Sequence, residues 1–178
     1  MLDLAARLNL GGVRWIAPYA DAGKWYPRRF WDTLASNEPY LSRAVERCDE
    51  MVEEAGESGR LDPRRLAVIG FSQGACVAVE YALRHPDRCG SIVAFTGCLM
   101  GPPGTVWRPA AGKTLEGLRI LLTGSDADDW VPERNTRETA QVLEQLGAEV
   151  QLRVYPGRPH IVSEEEIVEA RVFLDQRR

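Results

Sequence analysis

Residues 66–82 read LAVIGFSQGACVAVEYA, and this stretch decides the fold. Leu66 to Phe71 is an apolar run with β-branched residues, bounded by charge on its N-terminal side, which predicts a buried strand. Ala75 to Ala82 is rich in helix formers, with Ala, Val and Tyr81 facing inward and Glu80 left to solvent. Between them stands Gly70-Phe71-Ser72-Gln73-Gly74. A strand that becomes a helix within so few residues needs a sharp, strained turn. Glycine two places before and two after Ser72 leaves room for it, because a side chain at either place would meet neighbouring backbone. The turn lifts the Ser72 hydroxyl to the C-terminal edge of a sheet, where the helix N-terminus stabilises developing negative charge. At average composition the bare pattern arises in roughly one chain in twenty of this length, and an ordinary Gly-rich turn cradling a phosphate is the plain alternative. The strand-turn-helix setting favours a serine nucleophile.

Around this unit the chain alternates largely between strand and helix. On the N-terminal side, Met1 to Leu10 has helical periodicity, ended by Gly11-Gly12. Val13 to Ala17 reads as a short strand stopped by Pro18. A loop follows, YADAGKWYPRRFWD, carrying Tyr19, Trp25, Tyr26, Phe30 and Trp31. Such a loop either lines something or packs a small core of its own. Glu38 to Glu54 predicts a helix with Asn37 as cap, and Gly56 to Pro63 a linker. On the C-terminal side, strands are expected at Ser91 to Thr96, Arg119 to Thr123 and Glu149 to Tyr155, the last alternating as an edge strand does. Gly97 to Gly117 is a long connection containing Leu99, Met100, Val106 and Trp107. Helices are expected at Glu133 to Leu146 and Ser163 to Asp175, the second opened by a capping box of Ser163 and Glu166. The alternation argues a single α/β domain over residues 1–178. Its sheet would be mostly parallel with helices on both faces, and its sites would lie at the C-terminal ends of the strands.

Composition excludes several classes. The chain has 178 residues, 44% of them hydrophobic, and a net charge of −4 without a Lys/Arg stripe, which argues against a nucleic-acid partner. No run of eighteen apolar residues and no signal peptide is present, so no membrane insertion is expected. Cys48, Cys76, Cys89 and Cys98 form no C-x-x-C pair and have no histidine at zinc spacing. They read as free thiols of a cytoplasmic protein, with no metal and no cofactor expected.

A serine hydroxyl needs a base. The sequence has two histidines. His85, in ALRHPDR, sits at a helix end and reads as structural. His160, in PGRPHIVSEEE, follows the last strand and lies on the Ser72 side of the sheet, which makes it the candidate base. The third partner should be an acid that follows a strand, between serine and histidine in sequence. Asp126, Asp128 and Asp129 all lie in GSDADDWVP after the RILLT strand, and their position alone leaves the choice among them open.

Taken together, GFSQGACVAVEYALRHP, DDWVP and GRPHIVSEEEI resemble the elbow, acid and histidine motifs of the phospholipase/carboxylesterase family of α/β-hydrolases, which includes the acyl-protein thioesterases. KWYPRRF and NEP resemble segments of one bacterial branch, and the likeness runs along essentially the whole chain. The resemblance selects Asp128 as the acid. It implies a metal-independent hydrolase of small-molecule carboxylic esters or thioesters, working through an acyl-enzyme. Ser72 would be the nucleophile, His160 the base, Asp128 the orienting acid, and the Gln73 backbone N–H an oxyanion donor. It also makes Trp25, Tyr26, Leu99 and Trp130 candidates for the acyl pocket wall.

One departure from the family pattern stands out. In the family a strand and a His-Gly-rich loop precede the first helix, and that loop supplies a second oxyanion N–H. Here Met1 falls within what reads as that first helix. The Val13 to Ala17 strand is then expected either to pair directly with Leu66 to Phe71 or to leave backbone groups unsatisfied. Two expectations follow: the natural protein is longer, or the chain as given is a weakened or inactive hydrolase, for which a role as a ligand-binding module is the alternative. A different reaction on the same fold, such as a haloperoxidase-like one, is a third reading. Acyl length, ester against thioester and oligomeric state are not legible in these residues.

Overall fold

The structure is a computed structural model that describes residues 2–20, 23–56 and 62–176, the side chain of Leu2 apart. Most of the expected 56–63 linker, Met1, and residues 21–22 of the aromatic loop lie outside the described residues.

Four strands, β1 (Ala67–Phe71), β2 (Ser91–Phe95), β3 (Arg119–Gly124) and β4 (Glu149–Val154), form one sheet in the order β1-β2-β3-β4. All three pairings are parallel, with Gly70 opposite Ala94, Ala94 opposite Leu122, and Leu122 opposite Leu152. β2 and β3 are buried along their full length, as inner strands covered on both faces should be. β4 is half-exposed, in keeping with its alternating sequence and its place at an edge.

The side-chain period of two sends alternate residues to opposite layers. Ile92, Ala94, Ile120 and Leu122 pack with α3 (Tyr40–Gly56), α4 (Gln73–Arg84) and α5 (Glu133–Gln145) on one face. Val93, Phe95 and Leu121 pack on the other with Leu4 and Leu8 of α1 (Leu2–Leu8) and Ile167, Ala170 and Phe173 of α6 (Glu164–Asp175). Ser163 caps α6 in a complete capping box with Glu166. Among the described residues no helix is long and apolar enough to cross a membrane.

Four expectations are corrected. Residues 13–17 form no strand: Val13 and Trp15 are each 40% exposed, and Arg14 reaches Glu54 on α3 at 3.1 Å. A strand is held by its ladder, and among the described residues this segment pairs with none of the four strands. β1 is therefore an edge strand rather than a buried one, with Ala67 exposed and only Gly70 fully enclosed. Glu80 is buried, not solvated, and accepts from Arg84 Nε at 2.8 Å one helical turn on. Asn37 ends a short helix, α2 (Leu34–Asn37), instead of capping α3. Its buried amide accepts from the Arg28 N–H at 2.9 Å and donates to the Arg29 carbonyl at 3.1 Å, so it fastens the aromatic loop.

Candidate active site

The turn between β1 and α4 builds the site. Ser72 sits at φ 55°, ψ −122°, a conformation costly for a residue with a side chain. Its N–H donates to the Phe95 carbonyl at 3.0 Å, tying the turn to the end of β2. Gly70 is obligatory: a Cβ there would lie 2.2 Å from the Gly74 carbonyl oxygen. Gly74 differs from expectation, since a Cβ there would meet only Trp25 Nε1, at an ordinary 3.5 Å. The space around the second glycine of the motif would therefore admit a methyl group.

Ser72, His160 and Asp128 come together from three loops at the C-terminal edge of the sheet. His160 Nε2 is 2.9 Å from Ser72 Oγ. His160 Nδ1 is 2.8 and 3.0 Å from the two Asp128 carboxylate oxygens. The imidazole is flanked by Phe71, with ring centroids 4.9 Å apart, and by Trp130 at 6.0 Å. Asp128 Oδ1 also accepts the N–H groups of Trp130 at 2.8 Å and Val131 at 2.9 Å. Burial pushes the Asp128 pKa up, but the Val131 N–H, the His160 ring and the Trp130 N–H outweigh it, and the carboxyl is held below its ordinary value.

The neighbouring acids do other things. Asp126 Oδ1 accepts the Gly157 N–H at 2.7 Å and so pins the histidine loop. Asp129 is exposed. His85 closes the far end of α4, a helix of 12 residues, with its ring 5.0 Å from that of Tyr81 and Nδ1 3.7 Å from Asp49.

A set of buried side chains that sequence reading missed lies under the histidine loop. Arg158 Nη1 donates to the carbonyls of Pro159 at 2.7 Å and Ile161 at 2.6 Å, on both sides of His160. Its Nη2 donates to Thr96 Oγ1 at 2.7 Å, and its Nε lies 3.2 Å from Glu166 Oε2, close enough to pair charges although not aligned for a hydrogen bond. Glu166 is wholly buried and also accepts from Thr123 Oγ1 at 2.6 Å. Arg and Glu in GRPHIVSEEE read as loop and capping residues in sequence. Only the return of β2, β3 and α6 to one place makes them a buried network.

Beside Ser72 opens a cavity of about 740 Å³, lined by the aromatic loop, the elbow and residues 130–131. Of the pocket candidates, Trp25, Tyr26 and Trp130 line it. Leu99 does not: it is buried in the core, its N–H donating to Thr139 Oγ1 at 2.9 Å. Gln73 contributes more than its backbone. Its side-chain oxygen accepts the Trp25 N–H and its nitrogen donates to the Tyr26 carbonyl, both at 3.1 Å, stapling the loop to the elbow. As the first residue of α4, Gln73 directs its own N–H out of the helix end, where no intrahelical carbonyl can accept it. Among the described residues no group of three or more His, Cys, Asp or Glu side chains is gathered to hold a metal ion.

Comparison with known proteins fits this geometry. The phospholipase/carboxylesterase family model matches residues 15–177. A probable carboxylesterase of Oryza sativa subsp. japonica is 26% identical over 143 residues, 80% of this chain and 60% of its own length. Acyl-protein thioesterase 1 of Schizosaccharomyces pombe is 25% identical over 173 residues, 90% of this chain and 76% of its own. The crystal structure of a phospholipase/carboxylesterase from Dyadobacter fermentans superposes with a TM-score of 0.77 at 31% identity, over 86% of this chain and 72% of that one. The chain spans 60% and 46% of the lengths of two rice carboxylesterases it matches.

Proposed function

The chain belongs to the phospholipase/carboxylesterase family of α/β-hydrolases, and from that premise we propose that it is a serine hydrolase of carboxylic esters or thioesters. The observation that carries the reading is the unbroken hydrogen-bonded path from Ser72 Oγ through the imidazole to the Asp128 carboxylate.

In this reading Ser72 Oγ attacks the substrate carbonyl carbon while His160 Nε2 takes its proton. The carbonyl oxygen becomes an oxyanion that accepts from the Gln73 N–H. Collapse breaks the bond to the alcohol or thiol, which leaves with the proton from Nε2. The acyl group now sits on Ser72 Oγ. Water, deprotonated by the same nitrogen, attacks the acyl carbon, and Oγ departs with the proton restored. Asp128 holds the Nδ1–H tautomer and stabilises the imidazolium without itself being protonated. The acyl chain lies against Trp25, Tyr26 and Trp130. The four cysteines are free, which suits a reducing compartment such as the cytoplasm.

Ser72→Ala and His160→Ala test the assignment on nitrophenyl esters of graded chain length. Each should reduce hydrolysis to near background with the fold intact by circular dichroism, because cooperating groups fail together, by on the order of a millionfold in the best-measured case. Substantial turnover by His160→Ala would return attention to His85.

A further inference from the structure

Among the described residues, the cavity beside Ser72 is lined by three cationic residues, Lys24, Arg28 and Arg29, against one acid, Asp32. The protein as a whole carries a net charge of −4, so this concentration of positive charge is local. Asp32 does not neutralise Arg29: its Oδ2 accepts the Arg29 backbone N–H at 3.0 Å, and among the described residues the Arg29 guanidinium makes no ion pair.

That guanidinium is held by rings instead. Its central carbon lies 5.4 Å from the ring centroid of Trp31 and 5.4 Å from that of Trp130. The buried Asn37 side chain grips the backbone at Arg28 and Arg29, fixing where the side chain starts. Contact with two indoles fixes the guanidinium while its N–H edge stays available, which pre-organises it for two-point contact with a planar oxyanion. Trp130 is also the ring 6.0 Å from His160, so a single indole separates Arg29 from the base.

We propose that Arg29 is a specificity-determining residue that binds an oxyanion, a carboxylate or phosphate, carried by the substrate a short chain away from its scissile carbonyl. The inference rests on the hydrolase reading and names its substrate class: acidic esters or thioesters rather than plain fatty acyl ones. Lys24 and Arg28 add to the field that draws such an anion into the cavity.

The test compares 4-nitrophenyl hydrogen glutarate with 4-nitrophenyl butyrate, and 4-carboxyphenyl butyrate with phenyl butyrate. The two pairs place the carboxylate on the acyl group or on the leaving group. The quantity read is the ratio of kcat/KM for acidic over neutral ester, which cancels any general loss of activity. Arg29→Gln should lower that ratio by about tenfold or more in at least one pair, mainly through KM, and Arg29→Lys should restore part of it. Added salt should lower the ratio of the unsubstituted protein. An unchanged ratio in Arg29→Gln for both pairs overturns the proposal. A binding measurement keeps it separate from the chemistry. Ser72→Ala protein titrated with 4-nitrophenyl hydrogen glutarate, followed by tryptophan fluorescence, should bind it at least tenfold more tightly than Ser72→Ala/Arg29→Gln. If no ester is cleaved but this difference is found, the hydrolase reading fails and the anion site stands. If esters are cleaved and the two affinities are equal, the reverse holds.

Discussion

Asp128 shows how much one carboxylate can be asked to do. It receives two backbone N–H groups and the imidazole, and it is held below the ordinary carboxyl pKa. A group whose folded pKa is depressed stabilises the fold above its unfolded pKa of about 3.9 and loses that contribution as pH falls through the lower folded value. Chemical denaturation of the wild type should therefore lose stability below about pH 4, and Asp128→Asn should flatten that part of the profile. The same variant should lose about ten-thousandfold in turnover, because an amide favours the wrong tautomer, while Asp126→Asn and Asp129→Asn remain active within about tenfold. Steady-state rates on a neutral nitrophenyl ester check both statements. The position of the acid loop was legible because it follows a strand, whereas the choice of Asp128 within it came from the likeness of DDWVP to the family's acid motif. The buried Arg158 was not, since an arginine beside Pro159 and His160 carries no local mark of burial, and its partners Thr96 and Glu166 come from distant segments.

The elbow and the histidine loop are held by different physics. At the elbow the constraint is steric. Gly70→Ala would press a Cβ to 2.2 Å from the Gly74 oxygen, which is backbone and cannot rotate away, so a loss of at least about 1–3 kcal/mol is expected in denaturant titrations. Under the histidine loop the constraint is electrostatic. Glu166→Gln keeps the shape of the cap but takes from the buried Arg158 its nearer carboxylate, at 3.2 Å, leaving Asp128 Oδ2 at 3.8 Å, and Arg158→Met leaves Glu166 buried without its cation. Each should cost about 3–5 kcal/mol, and the double variant should lie closer to wild type than either single one, as a double-mutant cycle will show. The longer helices and the inner strands could be read ahead of the structure, because 3.6- and 2-residue periodicities are local, whereas the four residues of α2 are too few to show one. Val13 to Ala17 could not. Its alternation fits a strand, but whether a strand forms depends on a neighbour that no local pattern specifies.

Taken as a whole, the protein sets a parallel sheet between two helical layers and places its chemistry along the C-terminal edge of β1, β3 and β4, under a loop of aromatic residues stapled down by Gln73 and Asn37. The edge followed from the strand–helix alternation, and the order of serine, acid and histidine from the α/β-hydrolase pattern. The closing of the aromatic loop over Ser72 did not, because it depends on two amide side chains whose partners lie 9 and 48 residues away. In the proposed reading Ser72 is an activated hydroxyl beside the cavity, and that state has a direct chemical signature. Intact-mass spectrometry after brief exposure to a fluorophosphonate should show one adduct per chain, mapped by peptide sequencing to Ser72. The adduct should be absent in Ser72→Ala and greatly slowed in His160→Ala. A protein that stays unmodified at reagent concentrations that label ordinary serine esterases, or one labelled equally fast without His160, would contradict the account.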